Sequence, residues 1–444
     1  MSPYSRLLQR VLLPLHNSIR GRHYAAYRRL LEESQWWDRG KLLEFQWREL
    51  ERLLDHAFVN VPYYQRKYAA AGIRREDIRG LEDFARLPIL TRQEIREHRE
   101  ELRAGNVAAL LPHATGGSSG VPTRFYITTD SYDWRMAASH RAYNWSGYNI
   151  GELVLYLWGA PVGNVPYWKR IKVSLHNAIQ GQWMVNTFSQ SPELWRGVYD
   201  LACRKRPAWV IGYVSSLDAF GKYLREKGLR MPPLQAVLTG AEPLRETTRR
   251  DLEAAFSAPV FNTYGSREFM SIGVECNHHN GLHINAENIL LEAAQPASQD
   301  PSDILVTDLH NYGMPFLRYQ IGDFGLLDET SCACGRGLPR VGLIEGRTLE
   351  VLRTPGGRIV PGEIFPHLMK EFPEVREFQV RQVSRDRLVL SLVLAAPLTG
   401  AHRLLIGHEL GEVFGPEMHI EISQVDSIPQ LPSGKRQVTI GYHQ

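Results

Sequence analysis

Thr115-Gly116-Gly117-Ser118-Ser119-Gly120-Val121-Pro122 combines three glycines with three hydroxyl side chains, a mixture suited to wrapping an anionic group. Glycine lets backbone N–H groups come close to phosphate oxygens and face them as a concave nest. Thr115, Ser118 and Ser119 add hydroxyl donors. No Gly-Lys-Ser/Thr follows at the offset of a Walker loop, so the stretch is not a standard P-loop. Standing alone, it reads equally well as a flexible surface turn.

Four further segments follow it. They are Gly240-Ala241-Glu242-Pro243, Tyr264-Gly265-Ser266-Arg267-Glu268, Arg318-Tyr319-Gln320-Ile321-Gly322-Asp323 and Pro432-Ser433-Gly434-Lys435. The order and spacing of the five resemble the acyl-adenylate-forming superfamily, which activates carboxylic acids with ATP. Within it the chain is most similar to the phenylacetate–CoA ligase branch and its CapK-like members, which are associated with capsular polysaccharide genes. The resemblance runs from about Tyr63-Tyr64 to Lys435. Each motif is weak by itself; five in order are specific.

Carboxylate activation concentrates negative charge where a carboxylate attacks the α-phosphate and pyrophosphate departs. Backbone donors, a divalent cation and a positioned lysine relieve it. Mg²⁺ takes hard oxygen ligands and keeps several waters, so one carboxylate suffices. The resemblance gives Glu268 the Mg²⁺-associated role, against a bland reading as a capping or surface glutamate. Tyr264, followed by Gly265, is expected to stack on adenine or to be ordinary β-core. Gly240, Ala241 and Glu242 resemble the lining of the adenine pocket. Asp323 matches the aspartate that grips the ribose hydroxyls, since one acceptor-only carboxylate can take both hydrogen bonds. Arg318 and Arg347 assist near ribose or phosphate, or serve only as salt-bridge partners. Lys435 matches the catalytic lysine that bridges carboxylate and α-phosphate, where a bland reading makes it a solvated surface charge.

Departures from the family pattern also stand in the chain. Leu349 occupies the place of an acidic hinge residue two after Arg347, which leaves Glu350 or the local backbone for that role. Thr123-Arg124 replaces a lysine common after the phosphate loop; Arg124 either supplies that charge or points away along its strand.

Cys332-Ala333-Cys334 is a tight Cys-x-Cys turn, and Cys276 lies upstream with His278, His279 and His283. Three thiolates and one imidazole form a tetrahedral Zn²⁺ set, although this spacing is not that of a zinc finger. A similar Cys…His…Cys-x-Cys pattern in phenylacetate–CoA ligase relatives supports a structural zinc held by Cys276, His283, Cys332 and Cys334. His278 and His279 remain rival ligands, and reduced buried thiols are the bland alternative. Cys203 has no candidate partner and is expected in the core.

These residues need elements to position them. From residue 154 to 264, short apolar runs such as Val154–Trp158, Trp209–Tyr213, Ala236–Gly240 and Val260–Tyr264 alternate with helical stretches. That pattern predicts an α/β fold with a mostly parallel, helix-covered sheet, whose ligands bind off the carboxyl ends of the strands. A helical part over residues 1–105 comes first. An adenylate-forming core over 106–346 includes a β-rich subdomain near 285–330. A mobile α+β lid over 347–444 completes the chain. Gln46–Phe58 has helical apolar spacing with Pro62 just past its end, and Thr91-Arg92-Gln93-Glu94 reads as a capping box.

Composition agrees with a globular enzyme. The 444 residues are 43% hydrophobic and 23% charged, with 52 basic and 48 acidic side chains giving a net charge of +4. That balance, with no nucleic-acid-binding module, argues against a nucleic-acid partner. Four cysteines suit a reducing cytoplasm, and no apolar run approaches the roughly 20 residues needed to span a bilayer. Residues 1–54 mix Arg6, Arg10, Arg20, Arg22, Arg28 and Arg29 with Leu12, Leu13, Tyr24, Tyr27, Leu30, Leu31, Trp36 and Trp37. Such helices usually pack their apolar stripe on their own domain, with contact to an anionic membrane surface as the less favoured alternative.

The expected activity is ATP-dependent formation of an acyl-AMP followed by transfer to coenzyme A. Transfer to an amine or hydroxyl acceptor in polysaccharide or secondary-metabolite synthesis is the alternative, and a non-catalytic nucleotide-binding homologue is a third reading. Trp158, Gly159, Tyr213, Val214, Ser215 and Phe261 are candidates for the acid pocket, where aromatics suit an aryl or medium-sized apolar acid.

Overall fold

A computed structural model describes residues 2–115, 123–159, 167–188, 191–294, 302–328, 330–345, 352–360, 362, 364–369, 371–429 and 438–442. The expected boundary at 346–347 lies outside them. Two compact units are present. The first holds the described residues within 1–114, 123–150 and 261–346; the second holds those within 115–122, 151–260 and 347–444.

In the first unit the helix Arg39–Asn60 begins where Asp38 accepts the Lys41 N–H at 2.9 Å. Leu42, Leu50, Leu53, Leu54 and Ala57 recur at helical spacing and are all buried. Val61 ends this helix, and Pro62 opens the next, Pro62–Ala70, because its fixed φ and missing N–H suit a first turn. Thr91 and Glu94 form the expected capping box, with Glu94 accepting the Thr91 N–H at 2.7 Å and Thr91 accepting the Glu94 N–H at 3.2 Å.

These helices cover an antiparallel sheet in which Ile289–Ala293, Ser302–Asp308, Tyr319–Asp328, Arg340–Glu345, Leu282–Ile284, Met270–Glu275 and Val260–Ser266 pair in that order. The helix Thr129–Tyr143 brings charge into this core. Arg141 and Glu287 are both fully buried and joined by two bonds of 3.0 Å. Asn285 and the Leu31 carbonyl take the remaining Arg141 donors shown, and the Ser34 hydroxyl donates to Glu287. Removing one member strands the other without water. Arg141→Ala should therefore lower stability by about 3–5 kcal/mol, read as a shift in denaturant midpoint, and replacing both charges with apolar residues should recover much of it.

The second unit contains the expected parallel sheet. Gln182–Asn186, Val154–Trp158, Trp209–Tyr213 and Ala236–Gly240 are adjacent in that order and all parallel. Helices Pro192–Lys205, Val214–Glu226 and Glu246–Phe256 connect or cover the strands. The strands Trp209–Tyr213 and Ala236–Gly240 are buried along their whole length, as expected of a parallel sheet covered on both faces. Cys203 is not in the core, contrary to expectation: it is exposed on the helix Pro192–Lys205, whose buried residues are Trp195, Val198 and Ala202.

In the C-terminal part, Val375–Ser384 and Arg387–Leu394 form an antiparallel hairpin. His419–Gln424 runs parallel to its second strand and Thr439–Ile440 parallel to its first. The helix Gly400–Phe414 buries Ile406, Leu410 and Phe414 in the same apolar cluster as Phe378, Val380, Leu388 and Leu390. Phe188 and Tyr213 of the parallel-sheet region belong to that cluster too. Among the described residues no helix is long and apolar enough to cross a membrane.

Candidate functional site

The Tyr264–Glu268 segment forms the end of one strand and the turn into the next. Gly265 is required there, because a Cβ on it would lie 2.1 Å from the Met270 carbonyl oxygen. The register of Val260–Ser266 against Met270–Glu275 shifts between Tyr264 and Gly265. Phe269 anchors the turn by packing against Phe316 and Tyr319, and this carries the neighbouring Glu268 inward until it is only 3% exposed.

Asp323 reaches the same region from a bulge. Leu305 pairs with Gln320, yet Asp303 pairs with Phe324, so the strand Tyr319–Asp328 holds extra residues opposite its partner. Gly322 sits in that bulge at φ 89°, a conformation that favours glycine. The Tyr264 hydroxyl donates to Asp323 Oδ2 at 2.9 Å, which fixes the carboxylate from one side. Tyr264 thus has a polar role in addition to any stacking.

Two residues without an assigned role in the sequence join this cluster. The Tyr319 hydroxyl donates to Glu268 Oε1 at 3.2 Å, and Arg92 Nε donates to the Tyr319 hydroxyl at 3.1 Å. Arg92 also lies 3.6 Å from Glu268 Oε1 and donates to the Ile321 carbonyl at 3.1 Å. Burial works against the Arg92 charge, but Tyr319, Glu268 and Asp323 outweigh it and hold the guanidinium above its usual range. Arg92 was hidden because its neighbours Thr91 and Glu94 account for the local pattern as a helix cap. The result is a bracing of two acidic side chains, Glu268 and Asp323, by two phenols and one cation.

Arg318, expected near ribose or phosphate, donates from Nε to Glu292 Oε1 at 3.1 Å and from Nη1 to the Leu87 carbonyl. Burial raises the Glu292 pKa in spite of this pairing. The salt-bridge alternative describes these contacts.

In the second unit, Gly240 closes its strand and Ala241 follows in the left-handed region at φ 66°. A non-glycine residue held there is uncommon and marks a site under local constraint. Glu242 does not face outward: it accepts the Ser215 N–H at 2.5 Å and the Ser215 hydroxyl at 2.8 Å. It thereby caps the helix Val214–Glu226, whose own N-cap residue Tyr213 offers no side-chain acceptor. Burial raises its pKa against those two bonds. At the carboxyl ends of the neighbouring strands, Trp158 stacks on Tyr213 at 4.3 Å. Gly159 lets the Phe188 ring lie against the backbone, since a Cβ would come within 2.1 Å of it. Phe261 belongs to the first unit and packs on His279.

Thr115 is buried. Gly116, Gly117, Ser118, Ser119, Gly120, Arg347, Glu350 and Lys435 lie outside the described residues. Arg124 is exposed on the strand Arg124–Ile127.

Cys276, His283, Cys332 and Cys334 come together in the first unit, with their four candidate ligand atoms all within 4.8 Å of one another. Cys276 and Cys332 sulfurs are 3.8 Å apart, and Cys334 Sγ lies 3.3 Å from His283 Nε2. Tetrahedral zinc with its ordinary bond lengths spaces such atoms about 3.5–3.8 Å apart. His283 Nδ1 meets the Leu338 carbonyl at 3.3 Å, the outer contact that fixes a ligating imidazole and leaves Nε2 free to bind. Burial drives His283 down to about 4, which keeps it neutral, and pushes the Cys276 thiol up to about 12. Burial also opposes the Cys334 thiolate, but donors on Arg336 outweigh it and hold this thiol below its usual value. Three sulfurs, one neutral imidazole and an outer acceptor fit zinc. His279 instead meets Glu275 at 3.1 Å. His278 is likewise outside the cluster.

Residues 352–441 match the family described as the CapK C-terminal domain. That segment is similar to the C-terminal domain of CapK. Its span includes Lys435, and its described part is the hairpin, helix and parallel strands given above. Over most of its length the chain is 27% identical, across 384 residues, to phenylacetate-coenzyme A ligase of Thermus thermophilus, covering 81% of this chain and 83% of that protein. It is 24% identical over 407 residues to Protein CapK of Staphylococcus aureus, covering 90% and 89% respectively. Among solved structures it resembles 2-hydroxyisobutyryl-CoA ligase in complex with 2-HIB-AMP and CoA, with a TM-score of 0.61 and 21% identity over 91% of each chain. That likeness is one of fold.

Proposed function

We propose that this protein activates a carboxylic acid with ATP and passes the acyl group to coenzyme A. The observation that carries the reading is the bracing of Glu268 and Asp323 by Tyr319, Arg92 and Tyr264 in one unit of an adenylate-forming fold. In the first half-reaction a carboxylate oxygen bonds to the α-phosphorus, the bond to the bridging oxygen breaks, and pyrophosphate leaves with that electron pair. In the second, the coenzyme A sulfur bonds to the acyl carbon, AMP leaves, and the thiol proton passes to solvent.

Asp323 accepts from the two ribose hydroxyls and keeps its orientation through Tyr264. Glu268 supplies a hard oxygen ligand for Mg²⁺, whose contribution is to neutralise phosphate charge. Thr115 with Gly116, Gly117, Ser118, Ser119 and Gly120 is assigned to phosphate, Gly240 and Ala241 to adenine, and Arg347 to ribose or phosphate. Lys435 steadies the charge between acid and α-phosphate. Zinc held by Cys276, His283, Cys332 and Cys334 is structural. Trp158 and Tyr213 favour an acid with an apolar or aryl body.

A second reading, in which the acceptor is an amine or hydroxyl, rests on the resemblance to CapK-like members associated with capsular polysaccharide genes. ATP–pyrophosphate exchange across a panel of carboxylic acids tests the first half-reaction; coenzyme A and amine or hydroxyl acceptors then compete for the loaded enzyme. Exchange with no acid at all would leave only a nucleotide-binding protein. Lys435→Ala should cut exchange by about 10²–10³-fold while thioester formation from supplied acyl-AMP is largely kept. Equal loss of both halves would remove the lysine from its proposed role.

A further inference from the structure

The helical segment from Pro3 to Ile19 is built inside out. It runs as Pro3–Leu7, a π turn over Leu8–Leu12, and Leu13–Ile19. Its inward face is largely polar: the Ser5 hydroxyl and Gln9 both donate to the Ile150 carbonyl, at 2.7 and 3.0 Å, and Asn17 is buried. Its outward face is apolar, with Leu7 48%, Val11 50%, Leu15 57% and Ile19 75% exposed and Leu12 beside them. Leu8 is buried beneath the segment, which otherwise docks on its own unit through hydrogen bonds and turns most of its hydrocarbon to solvent, the reverse of a surface helix.

The π turn straightens this stripe. Residues at 7, 11, 15 and 19 are spaced by four, and an α-helix advances about 40° over each such step, so the row would wind around the axis. The wider turn, closed by the Leu13 N–H on the Leu8 carbonyl, takes up part of that winding. Pro14 follows, where a missing N–H and a bulky ring are accommodated by the loosened turn.

Charge completes the pattern. No Asp or Glu occurs before Glu32, and Arg6, Arg10 and Arg20 are exposed, whereas Arg22 is taken by Asp133. The residues from Tyr24 onward behave differently: Leu31, Phe45 and Trp134 form a core with Tyr24, Tyr27 and Trp37 packed against it. The exposed stripe of Leu7, Val11, Leu15 and Ile19 lies on the segment that lacks acidic residues.

We propose that the segment Pro3–Ile19 seats this protein on an anionic lipid surface, the apolar stripe entering the headgroup boundary and the arginines meeting lipid phosphates. An acid-free, one-sided apolar helix flanked by arginines matches that surface in both polarity and charge. The full-length protein should float with vesicles rich in phosphatidylglycerol and not with phosphatidylcholine alone, and binding should fall as salt rises. Val11→Asp with Leu15→Asp should weaken binding by at least about tenfold while ATP–pyrophosphate exchange and the melting temperature stay unchanged. Arg6→Gln with Arg10→Gln should reduce binding to anionic vesicles and flatten its salt dependence. The proposal fails if wild-type protein does not float, or if the Asp variant floats as well as wild type. It also fails if ultracentrifugation shows a dimer that the Asp variant breaks without any vesicle binding, which would make the stripe a contact between copies.

Discussion

Glu268→Gln should reduce ATP–pyrophosphate exchange by about two to three orders of magnitude with little change in fold. The substitution keeps the size of the side chain and leaves an amide oxygen to accept from Tyr319, whose hydroxyl lies 3.2 Å from the carboxylate. It removes the negative charge, which makes the side chain a much weaker ligand for the proposed Mg²⁺. Arg92, 3.6 Å away, loses one of its counter-charges but keeps the Ile321 carbonyl. Exchange rates with saturating acid, together with melting curves with and without AMP, separate the two effects. Full exchange activity in this variant would reduce Glu268 to a structural turn residue.

Cys332→Ser should abolish binding of the zinc proposed for this cluster and lower stability by at least about 4 kcal/mol, the linkage expected when metal is present at a thousand times its dissociation constant. The serine hydroxyl is a poor replacement for a thiolate in a site of three sulfurs and one imidazole. Cys203→Ser provides the comparison, since that thiol is exposed on a helix and lies outside the cluster. Elemental analysis of protein purified without added metal measures the first quantity and denaturant midpoints the second. Wild-type protein carrying less than about half an equivalent of zinc would argue against the metal site.

How much was legible in the residues varied with the range of the forces involved. The parallel strands announced themselves as short, fully apolar runs, because burial on both faces leaves no room for alternation. The helix Arg39–Asn60 and the Thr91–Glu94 cap are set by neighbours three and four positions apart, and both were readable. The Cys and His cluster was readable as a composition with His283 favoured, and the fold, which aims its Nε2 at Cys334, leaves His278 and His279 outside it. Arg92 and Tyr319 could not be paired with Glu268 from spacing, since their contacts span sequence separations that no local pattern encodes. Glu242 shows the converse: a residue read as pocket lining turned out to hold a helix terminus, a role visible only once Ser215 is placed beside it. Cys203 fell on the exposed side of an amphipathic helix, where a lone thiol among apolar neighbours gave no hint of its facing.

The thiol and imidazole cluster also governs how the sheet can open. Cys276 and Cys332 are 56 positions apart, and between them lie the strands Ile289–Ala293, Ser302–Asp308 and Tyr319–Asp328, the last bearing Asp323. An ion there closes this stretch into a loop whose ends cannot separate. Backbone amides of these strands should then exchange deuterium slowly and together, and a chelator should let them exchange as a separate block while the Gly400–Phe414 helix keeps its own rate. Asp323, the carboxylate proposed to hold ribose, is in effect mounted on a belt, and the buckle is made of sulfur.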